Sequence, residues 1–207
     1  RTKGPDVGIP PLFENNDAAT PAIALPFHFC FYEQSFDSVY ISNNGIVSFK
    51  QPIYKFDTSG LLPFGADTLM IAPFYADNYT LNNSGIVYYK ITQTHLIVTW
   101  DSVRFSGIDI DGWNNFQLII TNGQDPIVPN GNNISFCYPL MQWACSDSSG
   151  GFSGYAGAPA TIGINKGNGL TYAQINTISK PGNYYYGPFS ADNGIDWLDH
   201  KSFTLNS

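Results

Sequence analysis

VYISNNGIVSF, residues 39–49, is the stretch that decides how this chain folds. Two apolar runs, rich in β-branched and aromatic residues, flank Asn43, Asn44 and Gly45. These three residues tolerate the left-handed backbone that a tight reversal requires. The stretch therefore predicts a strand, a turn and a second strand, which together form a β-hairpin that sets the register of its neighbours.

The segments around this hairpin also have the pattern of short strands. In Leu25–Phe31 the phenylalanines alternate with His28 and Cys30, so the phenylalanines are predicted to face the core and His28 to face outward. Leu69–Tyr75 is a continuous apolar run, typical of a strand buried on both faces, and Pro73 predicts a break or a bulge within or beside it. Further strands are predicted at Gly85–Ile91, His95–Val103, Phe116–Thr121, Ile134–Tyr138, Thr161–Asn165 and Leu170–Ile175.

This series of strands indicates the fold class. About ten short strands, long loops and little helix predict an all-β antiparallel sandwich or barrel-like fold. The chain has 207 residues and no linker-like segment divides it, so we expect a single domain over residues 1–207. Residues 1–21 lack apolar periodicity and are predicted to form an extended lead-in.

Charge and hydropathy exclude two classes of partner. The formal net charge is -7 and the basic residues are scattered, so we expect no nucleic-acid binding. No apolar run reaches the roughly 18 residues of a membrane helix, so this segment is not expected to insert into a membrane. The chain opens without a signal-like apolar region, and we expect it to be a piece of a longer protein.

Sequons and cysteines favour a secreted protein. Asn78, Asn82 and Asn133 each begin an Asn-x-Ser/Thr sequon and are predicted glycosylation sites. Cys137 and Cys145 bracket a short segment that a disulfide would close if the chain reverses between them. The third cysteine would then be free, buried or paired with another chain. Zinc is not expected, because no Cys-x-x-Cys spacing occurs and the histidines lie far apart.

An ordered set of motifs resembles the nidogen-like (NIDO) domain family. The motifs are Ser42–Phe49 (SNNGIVSF), Ile71–Asp77 (IAPFYAD), Gly85–Tyr89 (GIVYY), Ile97–Trp100 (IVTW), Asn115–Ile119 (NFQLI), Met141–Trp143 (MQW) and Ser149–Gly151 (SGG). The resemblance implies a secreted or extracellular, non-catalytic module within a larger matrix or adhesion protein. The family offers no defined binding residues to carry over to this chain.

The residues offer little for catalysis. Gly151–Gly154 (GFSG) lacks the second spacing of the Gly-x-Ser-x-Gly turn of hydrolases. Asp77 and Asp101 each end an apolar strand and could form the carboxylate pair of a glycoside hydrolase, although aspartates at strand ends usually form turns. We therefore expect no enzyme activity and rank a glycoside hydrolase last.

Calcium is the more credible ligand. Asp109 and Asp111 alternate, so both carboxylates could face one hard cation, with Asn114 nearby. A second acidic candidate comprises Asp192, Asp196 and Asp199. The alternative is that both are solvated acidic loops. No EF-hand pattern occurs, because no Glu closes a loop of the required length.

Aromatic residues beside Gly, Asn and Pro are candidates for a contact surface, since they could stack on sugar rings or pack against a protein. They are Trp113, Tyr155, Tyr184, Tyr185 and Tyr186. The sequence therefore predicts an adhesion or matrix-assembly module that binds another protein, with self-association as one form of that binding. The alternative is a calcium-assisted, lectin-like module that binds glycans.

Overall fold

The computed structural model describes residues 17–56, 68–82, 84–107, 112–155, 157–175 and 195–207. Within these ranges the strands are β1 Ile23–Phe31, β2 Gln34–Ser42, β3 Ile46–Ser48, β4 Met70–Tyr75, β5 Asn78–Tyr79, β6 Ile86–Ile91, β7 His95–Phe105, β8 Asn114–Thr121, β9 Ile134–Leu140, β10 Thr161–Asn165, β11 Tyr172–Gln174 and β12 Lys201–Leu205. Two short 3-10 helices, Asp147–Ser149 and Ile195–Leu198, also lie in this part of the chain. Over the same residues, no helix combines the length and apolar character needed to cross a bilayer.

The strands form two antiparallel sheets that pack face to face. The first sheet has the order β1-β2-β3-β4-β10-β11. The second has the order β12-β9-β8-β7, and the far side of β7 pairs first with β6 and then with β5. The predicted all-β antiparallel sandwich is confirmed. Strand β5 was not predicted, because Asn78 and Tyr79 lie in a stretch that the sequence marks as a turn.

Alternation of residue type places the phenylalanines of β1 in the core. Phe29 and Phe31 are fully buried, while His28 on the opposite face is exposed, as the alternation predicted. Phe29 stacks on Phe49 with ring centroids 5.4 Å apart, and Phe31 meets Phe49 at a tilt with centroids 5.1 Å apart. Burying such rings away from water is the main source of stability in a sandwich of this kind.

Strand β4 lies inside the molecule and confirms a second prediction. All its residues are buried, as its continuous apolar sequence indicates. Its pairing with β10 shifts register between Ala72 and Tyr75, which places a bulge beside Pro73. Proline lacks the N–H that a regular ladder needs, so the bulge accommodates it.

The predicted hairpin at residues 39–49 is confirmed, but its turn is buried. Ser42 pairs with Ile46, and Gly45 has a φ of 77°. Asn43 and Asn44 are 2% and 0% exposed. Their side chains bond to neighbouring segments rather than to water, so the turn lies within the end of the sandwich.

Candidate functional site

Asn114, at the start of β8, organises the loop that follows β9. Its side-chain oxygen accepts hydrogen bonds from the backbone N–H of Gln142 at 2.6 Å and of Trp143 at 3.2 Å. Its Nδ2 donates to the oxygen of Trp143 at 2.9 Å. Asn114 is fully buried, and its side-chain oxygen already accepts hydrogen bonds from two backbone N–H groups. This position conflicts with the predicted role of Asn114 as a calcium ligand.

Trp143 anchors the same loop in the core. Its indole nitrogen donates to the oxygen of Val103 at 3.1 Å, and its ring meets Phe74 edge-on at 5.1 Å between centroids. Gly154 lies so close that a Cβ there would be 2.8 Å from the Cβ of Trp143. The backbone around Gly154 is therefore held against a fixed aromatic side chain.

Residues 152–155 form a tight turn on top of this anchor. Phe152 and Tyr155 exchange backbone hydrogen bonds of 2.7 and 3.1 Å. Ser153 and Gly154 both have positive φ, 54° and 83°, as a two-residue hairpin turn requires. The backbone oxygen of Gly154 accepts hydrogen bonds from the N–H groups of Ala144 and Cys145, in the preceding part of the loop. The turn is thus a rigid platform.

This platform carries Phe152 and Tyr155, and Gln142 bonds to both Tyr155 and Trp113. We call these four residues the aromatic surface; Phe152 and Trp113 are exposed, whereas Gln142 and Tyr155 are half-buried. Phe152 is 79% exposed and Trp113 is 40% exposed. Gln142 links the other members, because its side-chain oxygen accepts from the N–H of Trp113 at 3.1 Å and its backbone oxygen accepts from the Tyr155 hydroxyl. Both Trp113 and Tyr155 were predicted as contact residues, and the structure brings them together.

Charges of both signs flank the aromatic surface. The guanidinium carbon of Arg104 lies 5.7 Å from the ring centre of Trp113. Burial, and then the nearby carboxylate of Asp196, raise the pKa of Tyr155 to about 12, so its hydroxyl stays protonated and donates. An aromatic centre with a polar rim has the composition of many protein-binding surfaces, and it is also compatible with sugar stacking.

The other predicted site residues fall into two groups. The predictions at Asp109, Asp111, Tyr184, Tyr185, Tyr186 and Asp192 lie outside the described residues. Asp199 accepts a hydrogen bond from the N–H of Met141 at 2.7 Å, and burial raises the pKa of its carboxyl. Among the residues that the structure describes, no three His, Cys, Asp or Glu side chains are grouped as metal ligands.

Asp77 and Asp101 do not form the predicted carboxylate pair. Asp77 is 1% exposed, whereas Asp101 lies half-buried on β7 and accepts from the Ser102 hydroxyl at 3.0 Å. Asn78, the neighbour of Asp77, pairs with Phe105 of β7, which lies four positions after Asp101. At about 3.3 Å per residue this places Asp101 roughly 13 Å along the strand, which exceeds the usual separation of glycosidase carboxylates.

The asparagines of the three sequons differ in how deeply they are buried. Asn78 is fully buried, and its Nδ2 donates to the oxygens of Phe74 and Ala76. Asn133 is 5% exposed, and its Nδ2 donates to the oxygen of Cys30 at 2.9 Å. A glycan on either nitrogen would displace these contacts, so both predictions conflict with the structure. Asn82 is exposed, and glycosylation there stays a prediction.

The three cysteines are free thiols in the structure, so the predicted bond between Cys137 and Cys145 is not formed. Cys137 lies on β9 between Phe136 and Tyr138, which face the core, and therefore points to the outer side of the sheet. Cys145 is buried near the loop glycine Gly151.

Two features were missed by sequence reasoning. Phe152 is the most exposed member of the aromatic surface, and aromatic residues at both ends of a Ser-Gly pair could have indicated a tight turn. His95 Nδ1 lies 2.6 Å from a carboxylate oxygen of Asp125. Thr94 also donates to this carboxylate. No local pattern signals this second contact, because the partners are 30 positions apart.

Comparisons with known proteins place the chain in a family. The family model described as NIDO related matches residues 7–187. Alpha-tectorin of Gallus gallus is 27% identical over 181 residues, covering 74% of this chain and 8% of the relative. Alpha-tectorin of Homo sapiens is 28% identical over 81% of this chain and 8% of the relative. Nidogen-1 of Homo sapiens is 34% identical over 48% of this chain and 10% of the relative.

These relatives are much longer than the chain, which spans 8 to 10% of their length. No solved structure matches the chain. Alpha-tectorin and nidogen-1 are extracellular matrix proteins, and the family model covers most of the two sheets. The chain is an extracellular domain and belongs to the NIDO-related family.

Proposed function

We propose that this domain is a non-catalytic adhesion or matrix-assembly module that binds another extracellular protein through its aromatic surface. The exposure of Phe152, 79%, is the observation that carries the proposal. A large apolar ring held in water on a rigid turn gains free energy when a partner covers it. Because the turn is already fixed, binding costs little ordering entropy.

The neighbouring residues support the same proposal. Trp113 and Tyr155 add aromatic area with few rotatable bonds, and such residues commonly dominate binding energy at interfaces. Arg104 and Asp196 provide charges on the rim, where they would select a partner and orient it. The relatives are structural matrix proteins, which supports a role without catalysis.

A glycan ligand is the second candidate, and one contact favours it. Trp113 and Tyr155 lie on either side of Gln142, so aromatic faces and hydrogen-bonding groups occur together. Sugar-binding sites combine these two features. In the lectin-like form of this proposal, calcium would assist binding through the acidic residues near the surface.

The test compares binding by the wild-type domain with binding by the double variant Phe152→Ala/Trp113→Ala. The ligand is an immobilised basement-membrane extract that is left untreated, digested with protease or enzymatically deglycosylated. A protein-binding module loses its signal after protease digestion and keeps it after deglycosylation. We expect the Kd of the double variant to be higher by about tenfold or more, because exposed aromatic anchors carry much of the affinity.

Leu170→Ala is the matched control. Leu170 is 80% exposed but lies at the turn between β10 and β11, away from the aromatic surface. Equal binding by the double variant and the wild type would refute the assigned surface. Binding that survives protease and disappears after deglycosylation would favour the glycan ligand, and a glycan array run with and without calcium would identify it.

A further inference from the structure

Asp77 carries a buried carboxylate oxygen that the fold leaves without a hydrogen-bond donor. The residue is 1% exposed, and its Oδ2 accepts from the hydroxyl of Ser148. Its Oδ1 makes no hydrogen bond to the residues that the structure describes. Burial raises the pKa of this carboxyl, and the hydroxyl of Ser106 is a further group, besides that of Ser148, that lowers it. A buried acceptor without a donor is costly, and the cost is larger for a charged group.

A second carboxylate, that of Asp17, belongs to the same hydrogen-bond network. Asn44 connects the two acids: its Nδ2 donates to Asp17 at 2.7 Å, while its oxygens accept from the N–H groups of Ala76 and Asn78, on either side of Asp77. Asp17 and Asp77 interact electrostatically as like charges. Within the described residues, neither acid forms an ion pair with a lysine or arginine. Among the described residues, these two carboxylates therefore have no basic side chain that balances their charge.

We propose that Asp17 and Asp77 bind a calcium ion, which supplies the positive charge that no described basic residue provides to this pair. Carboxylates, hydroxyls and backbone carbonyls are the oxygen ligands that calcium prefers. Asp17 and Ser148 are exposed, so the ion reaches the site from solvent.

The expected affinity is modest. Two carboxylates supply less charge than a high-affinity calcium loop, and extracellular modules typically bind calcium with Kd values of about 0.1 to 1 mM. The site joins three segments that are distant in sequence, because Asn44 bonds to Asp17 and to both neighbours of Asp77. Bound calcium would therefore stabilise the contact between the two sheets at this end.

Thermal unfolding of the domain tests the site directly. We expect 5 mM calcium chloride to raise the Tm of the wild type by roughly 2 to 8 °C relative to EDTA. Magnesium chloride at the same concentration should give a smaller shift, because magnesium requires a tighter octahedral arrangement. Asp77→Asn and Asp17→Asn should each remove most of the calcium shift, and Asp17 is exposed enough for its variant to fold.

A control variant locates the response. Asp101→Asn removes a strand carboxylate elsewhere and should keep the full calcium shift. A wild-type Tm that calcium leaves unchanged would overturn the proposal. A calcium shift that survives in both Asp77→Asn and Asp17→Asn would also overturn it.

Discussion

The indole nitrogen of Trp100 donates a hydrogen bond of 3.1 Å to the backbone oxygen of Ser42, and so joins the two sheets beside the buried turn. Trp100 is fully buried and stacks on Phe116 with ring centroids 4.9 Å apart. A tryptophan at this position thus fills the core and also satisfies a carbonyl at the end of β2.

Trp100→Phe should lower the free energy of unfolding by about 2 kcal/mol, because it removes this hydrogen bond and leaves part of the indole volume empty. Urea denaturation followed by circular dichroism measures the change. Trp113→Phe is the control, since Trp113 is exposed, and it should change stability by less than about 0.5 kcal/mol. Equal losses in both variants would show that the contact with Ser42 contributes nothing specific.

Gly45→Ala should be among the most damaging single substitutions in the chain. A Cβ at this position would lie 1.8 Å from the oxygen of Phe74, and the φ of 77° is itself unfavourable for alanine. We expect a loss of roughly 3 kcal/mol or more, or failure to fold. Gly123→Ala separates the two causes, because Gly123 has a φ of 81° but open space around it. That control should lose only about 1 kcal/mol.

The contact of Asp125 with Thr94 and His95 predicts a pH dependence. Hydrogen bonds from Thr94, then from His95 and the backbone of Ile127, lower the pKa of Asp125 from 3.8 to about 2. The charged carboxylate is therefore favoured in the folded state. This contribution is complete above the unfolded pKa and is lost as the pH falls through the folded pKa, between about 4 and 2.

Comparison of wild type and Asp125→Asn by urea denaturation from pH 7 to pH 2 measures that contribution. Solvent reaches this site, so the contribution should be about 1 kcal/mol or less at pH 7. The difference between the two proteins should shrink as the pH falls below 4. A difference that stays constant down to pH 2 would contradict the assignment to Asp125.

The thiols should differ in reactivity. Cys30 is exposed and Cys137 is half-buried, whereas Cys145 is buried and burial raises its pKa to about 11. We expect a thiol reagent such as Ellman's reagent to label Cys30 within minutes at pH 8 and Cys145 only after unfolding. All three thiols should react in denaturant. A single reactive thiol in denaturant would instead show that Cys137 and Cys145 form the predicted disulfide.

Local patterns in the sequence predict much of the fold. The alternating phenylalanines of β1 correspond to a strand with one buried face. The continuous apolar run of β4 corresponds to a strand buried on both faces. The Asn-Asn-Gly turn was predicted for the same reason, since its conformation depends on adjacent residues. Strand β5 was missed because its two residues are fixed by pairing with Arg104 and Phe105, far along the chain.

The candidate site was predicted less well, because side-chain partners depend on tertiary structure. Trp113 and Tyr155 were identified from their loop context, but Gln142, which joins them, has no distinctive local pattern. Asn114 looked like a calcium ligand next to two aspartates, and the fold instead uses its oxygen to hold the loop at Gln142. Asn78 begins a sequon, yet its burial depends on contacts that a sequon cannot reveal.

The buried turn at Asn43 and Asn44 also has a consequence for the order of folding. Its hydrogen bonds reach partners 25 and 35 positions away, and Trp100 reaches Ser42 across 58 positions. Chain segments this far apart lose considerable entropy when they meet, and domains rich in such contacts fold slowly, typically in milliseconds to seconds. We therefore expect the turn to be unformed in the folding transition state, so substitutions there would accelerate unfolding and leave the folding rate nearly unchanged.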